Sequence, residues 1–298
     1  PNLVSDLIKA GAEVKCVVTP SASKLVSPLS LASLSRNRCY QDKDQWDPKE
    51  SKPLHISLAE WSEIIVIAPL SATSLGKWAH GLGDGLLASI LLASEVPVIA
   101  AAAMNTGMWG SPSVKRNWEQ IEENRVIKLT PSSGLLACDR IGEGRMINTD
   151  IIKLSIESAF CQNKKIPMLQ KDLKGIKILI TAGATIEELD PARQISNKST
   201  GRMGVLLAQA AKFRGATVDL IHGSLQIPLS LLEGLKTYPI KDANQMQENL
   251  ENLQSTADVI VMAAAVSDLR KKGGGDKKKR EKEWLVKSLA NNLELVPD

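Results

Sequence analysis

A chain of 298 residues is long enough for two domains of ordinary size, and a hydrophobic content of 43% can fill two cores. The net charge of +4 is small for general nucleic-acid binding, no apolar run reaches membrane-spanning length, and no signal peptide is visible. Cys16, Cys39, Cys138 and Cys161 form neither a C-x-x-C pair nor a disulfide framework, which argues against a zinc site and for a reducing cytoplasm.

The chain opens on an amphipathic helix, Asn2–Ala10, closed by Gly11, and then a strand, Glu13–Thr19. A chain alternating in this way normally begins with a strand, so this end reads as a boundary. So does the other, where a strand and the start of its loop break off at Leu293–Asp298. Further strands are predicted at Ile64–Ala68, Val96–Ala101 and Val126–Leu129, with helices at Ser57–Trp61, Thr73–His80, Gly85–Ala93 and Thr149–Phe160. The runs at 64–68 and 96–101 lack polar alternation, as parallel strands buried on both faces do. Such a succession predicts a doubly wound sheet with ligands at the carboxyl ends of its strands.

The polar residues that follow those strands are the first candidates. After Ala68 comes Pro69-Leu-Ser-Ala-Thr-Ser74, whose hydroxyls and amides suit a phosphate or a polar ring edge, or else a plain helix cap by Ser71 or Thr73. After Ala101, a loop carries Met104, Asn105 and Met108. Ser57 and Glu60 have capping-box spacing, which leaves His55 just outside a short helix, placed to take a proton near neutral pH. Residues Gly134–Met146 combine Gly134, Gly142 and Gly144 with Cys138, Asp139, Arg140 and Arg145. Glycines let that backbone move and approach a ligand, and a thiol beside fixed positive charge exchanges its proton more readily.

Four motifs stand in order: H-I-S-L-A-E-W, A-P-x-S-A-T, A-M-N-x-x-M-W and G-x-x-A-C-x-x-x-G-x-G-R-M. Together they resemble the flavin-dependent phosphopantothenoylcysteine decarboxylases, within the homo-oligomeric flavin-containing cysteine decarboxylases, over about residues 1–155. The resemblance implies FMN held between subunits of a trimer, taking electrons from the substrate's cysteine moiety so that carbon dioxide can leave. It makes His55 the base, gives Asn105 the substrate carboxylate, and has Cys138 supply a proton in the reductive half. Ser71, Thr73 and Met104 would line the flavin. Asp139 stands where the family has glycine, and the family's N-terminal phosphate-binding turn is absent from the chain as given. A redox cofactor also fits the chemistry, because no side chain can store the charge that decarboxylation leaves on carbon.

The aperiodic stretch 162–174 reads as a linker between a domain at 1–161 and another at 175–298. Past it come a strand ending in Thr181-Ala-Gly-Ala-Thr185, a helix at Met203–Arg214, a strand at Thr217–Ile221 and an apolar strand at Ala257–Ala264. T-A-G-A-T is not the dinucleotide fingerprint G-x-G-x-x-G. Ser196, Ser199 and Thr200, with Lys198 and Arg202, read equally as an anion cradle or a capped helix. The tract Arg270–Arg280 reads as a solvated loop, since no aromatics interleave its charges.

The D-P-x-R-x-I-S-N-x-S-x-G-x-M-G segment from Asp190, the A-A-A-V-x-D run at Ala263–Asp268 and the ending Val296-Pro-Asp298 resemble the phosphopantothenate–cysteine ligases. That resemblance implies CTP as co-substrate, magnesium bridging its phosphates, cysteine and 4'-phosphopantothenate as substrates, and a dimer. Asn197 would contact the acyl-phosphate intermediate. Ala263, Ala264, Ala265, Asp268, Pro297 and Asp298 would hold nucleotide, and Lys278, with Lys277 and Lys279 beside it, would close over the phosphates. Ala184 replaces the second glycine of the family's turn.

The expectation is therefore two Rossmann-like, three-layer α/β domains, doubly wound on largely parallel sheets. They would act as a bifunctional, cytoplasmic enzyme of coenzyme A synthesis that makes and then decarboxylates 4'-phosphopantothenoylcysteine, giving 4'-phosphopantetheine. A flavin-binding regulatory subunit without catalysis is the alternative, disfavoured because His55 and Cys138 are both present.

Overall fold

Runs of β-branched residues and alanine set the frame of the molecule. The computed structural model describes residues 1–47, 52–121, 125–135, 141–162, 171–273 and 293–296, apart from the side chains of Cys161, Gln162 and Glu294. Cys138, Lys277, Lys278, Lys279, Pro297 and Asp298 lie outside the described residues. The chain divides into two compact units, Pro1–Gln170 and Lys171–Asp298. Both have the mostly parallel α/β architecture, and antiparallel hairpins add to it.

In the first unit β1 (Cys16–Val18) and β2 (Cys39–Gln41) pair in parallel, with Cys16 opposite Cys39. A parallel sheet follows in the order β3 (Ile65–Leu70), β4 (Val98–Ala102), β5 (Val126–Leu129). Every residue of β4 is buried, which explains a strand of valine, isoleucine and alanine with no polar alternation. The helices are α1 (Asn2–Lys9), α2 (Pro28–Ser35), α3 (Leu54–Trp61), α4 (Ala72–Ala79), α5 (Leu86–Ala93), α6 (Thr106–Gly110), α7 (Pro112–Gln120) and α8 (Thr149–Gln162). One core joins Ile67, Leu70, Leu75, Trp78, Val98 and Trp118, with Trp109 edge-on to Trp118. Another joins Leu54 and Leu58 of α3 to Leu86 and Ile90 of α5.

Several elements differ from expectation. The first strand is three residues long, and α2 and α7, each opened by a proline at the start of the helix, were not predicted. The two ends of the glycine-rich stretch are paired: β6 (Ser132–Leu135) runs antiparallel to β7 (Ile141–Arg145), and Leu135 faces Ile141. A non-local cap also escaped notice. Gly85 opens α5 with φ of 97°, and the Leu86 amide behind it donates to Asp42 Oδ1 at 3.1 Å.

In the second unit four parallel strands run in the order β12 (Lys236–Pro239), β11 (Thr217–His222), β8 (Lys177–Ala182), β13 (Val259–Met262). The chain moves outward from β8 to β12, then returns to the other flank of β8. The carboxyl ends of β8 and β13 are thus a topological switch point. Helices α9 (Arg202–Phe213) and α10 (Ala243–Gln254) complete the alternation. Two antiparallel pairs are added, β9 (Ile186–Asp190) with β10 (Arg193–Ser196) and β14 (Leu269–Lys271) with β15 (Leu293–Leu295); of these four strands only the one starting at Leu293 was predicted. No helix among the described residues is long and apolar enough to cross a membrane.

Candidate functional site

The end of β3 turns directly into α4, and Ser71 caps that helix: its Oγ accepts from the Ser74 amide at 3.3 Å. The plain-cap role weighed for Ser71 is therefore real, but Ser71 and Thr73 remain exposed. Pairing between β3 and β4 sets Leu70 beside Ala102, and the Ala103 amide donates to the Leu70 carbonyl at 3.1 Å. Met104 and Asn105 therefore emerge next to Ser71.

Asn105 does not sit in an open loop. Its Oδ1 accepts from the Gly107 amide at 2.9 Å and starts α6, because an Asn side chain at that position satisfies an amide that has no partner within its helix. The flanking hairpin closes onto the same segment. The Met104 amide donates to the Gly144 carbonyl at 3.0 Å, and a Cβ on Gly142 would come within 2.6 Å of Thr106 Oγ1. Glycine is required at 142 by that approach. Ser71, Met104, Asn105 and the arms of the hairpin that bracket Cys138 in sequence thus form one neighbourhood.

His55 comes from a separate element. The capping box expected at Ser57 and Glu60 does not form; α3 begins three residues earlier, at Leu54, and His55 lies in its first turn. Burial explains the shift, since Leu54, Leu58 and Ala59 all enter the core and draw the helix start back to Leu54. Glu60 instead forms an ion pair with Lys52. The His55 Nδ1 atom is buried and has no hydrogen-bond partner among the described residues. A buried polar atom of this kind costs free energy unless something bonds to it.

The thiols of Cys16 and Cys39 are different in kind. Both are buried, and burial raises both above the usual thiol range, Cys39 to about 11. They stay protonated and inert at neutral pH.

In the second unit the predicted residues gather at the switch point. The Ala263 and Ala264 amides both donate to Thr181 Oγ1 at 3.1 Å, the Ala265 amide to the Gly183 carbonyl at 2.7 Å, and the Ser267 amide to Thr185 Oγ1 at 2.8 Å. Asn197 joins them, its Nδ2 donating to the Val266 carbonyl at 2.8 Å. Asp268 is exposed at the end of this run. Ala184 is accommodated without strain: it is buried and bridges Ser224 on one side and Ala265 on the other. The glycines that cannot vary are its neighbours, since a Cβ on Gly223 would lie 2.1 Å from the Ala184 carbonyl oxygen. Thr181 and Thr185 were missed as functional candidates. Their signal was a hydroxyl at the end of an otherwise apolar buried strand.

The sequence profile of the flavoprotein family matches residues 1–160. The chain belongs to that family. A second profile, that of the DNA/pantothenate metabolism flavoprotein C-terminal domain, matches residues 173–298. The chain is 39% identical over 275 residues to the coenzyme A biosynthesis bifunctional protein CoaBC of Bacillus subtilis (strain 168), covering 91% of this chain and 65% of that protein. It is 36% identical over 245 residues to a cysteine/cysteine sulfinic acid decarboxylase from an unknown prokaryotic organism, covering 82% of this chain and 67% of that one. Among solved structures, a cysteine-to-serine variant of PPC decarboxylase complexed with pantothenoylaminoethenethiol is 34% identical. It aligns with 54% of this chain and 89% of its own, at a TM-score of 0.49. The chain thus spans about two thirds of the length of the curated relatives it matches.

Proposed function

We propose that the first unit is an FMN-dependent decarboxylase of 4'-phosphopantothenoylcysteine and that the second is a phosphopantothenate–cysteine ligase unit, both serving coenzyme A synthesis. The observation that carries this reading is the alignment with a bifunctional coenzyme A protein, which runs through 91% of the chain and so through both units.

The described residues of the first unit fit a flavin. His55 offers a buried, unpartnered nitrogen, and α4 offers exposed hydroxyls at a helix N-terminus, where partial positive charge favours anions and polar ring edges. Ser71, Thr73 and Met104 would hold FMN, which when bound serves as the electron sink the reaction needs. Asn105 binds and orients the substrate carboxylate beside them. His55 takes the proton from the substrate thiol, as a general base within reach of it would. Cys138 returns a proton at the end of turnover. The trimer-based assembly belongs to this reading because the resemblance to the flavin-containing cysteine decarboxylases implies it.

In the second unit the Ala263–Asp268 segment would receive CTP with its magnesium. Asn197 would meet the acyl-phosphate group, and Lys278, Pro297 and Asp298 would complete the nucleotide site.

The test is direct. Purified protein will be yellow, and will release carbon dioxide from 4'-phosphopantothenoylcysteine. A colourless preparation that stays inactive when FMN is supplied overturns the decarboxylase reading. Release from free cysteine, with none from the phosphopantothenoyl conjugate, would transfer the activity to the class of the cysteine decarboxylase relative.

A further inference from the structure

Thr181 and Thr185 bracket the turn at the switch point, and both are fully buried. Buried hydroxyls earn their place through hydrogen bonds, and these two direct theirs at one target. Thr181 Oγ1 donates to Met262 Sδ at 3.9 Å and accepts from two successive amides, those of Ala263 and Ala264. Both of its lone pairs and its proton are therefore engaged. Thr185 Oγ1 accepts from the Ser267 amide, while its own backbone amide donates to the Ala265 carbonyl at 3.2 Å. Its carbonyl accepts from Ser196 Oγ at 2.7 Å, which ties the same turn to the strand leading into Asn197.

The segment that follows β13 leaves the sheet with no helix or ladder of its own to satisfy its backbone. Valine at position 181 would preserve the packing of β8 but leave two part-buried amides without their partner. Neither hydroxyl is needed for the strand itself, whose ladder is made by backbone groups.

We propose that Thr181 and Thr185 are positioning residues for nucleotide binding. Their hydroxyls hold Ala263–Ser267 in one conformation before ligand arrives, so that the segment and Asp268 present a preformed surface. This rests on the reading that Ala263–Asp268 receives the nucleotide. It assigns to the two threonines the preorganisation of that surface, not contact with the ligand.

The experiment compares Thr181→Val and Thr185→Val with Thr181→Ser and Thr185→Ser in the whole chain. Two quantities are measured: the Kd for CTP with magnesium by calorimetry, and amide hydrogen exchange across residues 262–268 in the absence of nucleotide. The valine variants will bind CTP roughly tenfold more weakly, the effect of losing about one buried hydrogen bond. The serine variants will stay within about twofold of the parent on the same scale. Exchange at Ala263 and Ala264 in Thr181→Val, and at Ser267 in Thr185→Val, will be faster. Faster exchange with unchanged CTP affinity overturns the positioning role, and unchanged exchange overturns the latch itself. If the parent chain binds no CTP, the nucleotide reading falls, and the exchange measurement alone decides whether the hydroxyls hold the segment. Should Thr181→Val fail to fold, Thr185→Val carries the test, because it strands one amide instead of two.

Discussion

The two units build their candidate sites at the same kind of place, the carboxyl ends of parallel strands, and by opposite means. At the end of β3 the polar groups are presented outward, where Ser71 and Thr73 are exposed, and in the first turn of α3 the buried His55 Nδ1 has no hydrogen-bond partner among the described residues. At the ends of β8 and β13 the polar groups are turned inward, and the amides of Ala263, Ala264, Ala265 and Ser267 are all satisfied inside the fold. The first arrangement leaves bonding capacity open, and under the proposed function FMN would complete it. The second fixes backbone shape in advance, which would suit the nucleotide co-substrate proposed for that unit.

The contrast can be broken by substitution. Its largest expected consequence is at His55. If the unpartnered nitrogen serves proton transfer, His55→Ala will lower decarboxylation by about a hundredfold or more while leaving Tm nearly unchanged. A variant that retains activity would show the nitrogen to be merely an unsatisfied group. Next is Gly204, in the helix packed on β8, where a Cβ would lie 2.6 Å from Ala182 Cβ and 2.8 Å from the Thr181 carbonyl oxygen. Gly204→Ala will destabilise the second unit by about 2–3 kcal/mol through overpacking, read by thermal unfolding, without changing the flavin spectrum. Loss of flavin together with that unfolding would mean that the two units do not answer separately.

A smaller effect attaches to Ser71. Ser71→Ala removes the α4 cap and will cost about 1 kcal/mol of stability; if Ser71 also meets the cofactor, FMN affinity will fall as well. Restoration of the cap but not the affinity by Ser71→Asp would separate the two roles. The smallest is at Cys39. Its folded thiol is held near 11, above the 9.0 of an unburied one, so the unfolded chain loses this proton first as pH rises. The contribution is fully present below about pH 9 and is lost between there and about pH 11, giving a slight fall in Tm over that range that Cys39→Ala abolishes. Alkylation at neutral pH will likewise spare Cys16 and Cys39 in the folded protein.

Much of this architecture was legible before any coordinates, for a physical reason. Strands buried on both faces, such as Val98–Ala102 and Lys177–Ala182, announce themselves as apolar runs, and the residues just beyond them become candidates by topology alone. Ser71 and Asn105 became candidates in that way, whereas Ala263–Asp268 was singled out by the resemblance to the phosphopantothenate–cysteine ligases. What sequence pattern hid were features settled by tertiary partners. The start of α3 moved from Ser57 to Leu54 because core packing outweighed a capping signal. The hairpin at 132–145 depends on cross-strand pairing that glycine content obscures. The tasks of Thr181 and Thr185 depend on amides about eighty residues away, a distance no local window can span.

The same long reach governs how one helix comes into being. The Asp42 carboxylate that receives the Leu86 amide is separated from it by 44 positions, so α5 lacks its opening contact until that length of chain has closed on itself. Loop closure on this scale carries an entropic cost that only later contacts repay, and topologies rich in such closures assemble slowly. The Asp42–Leu86 contact therefore forms only after that closure. Removing the carboxylate by Asp42→Ala will hasten unfolding more than it slows refolding.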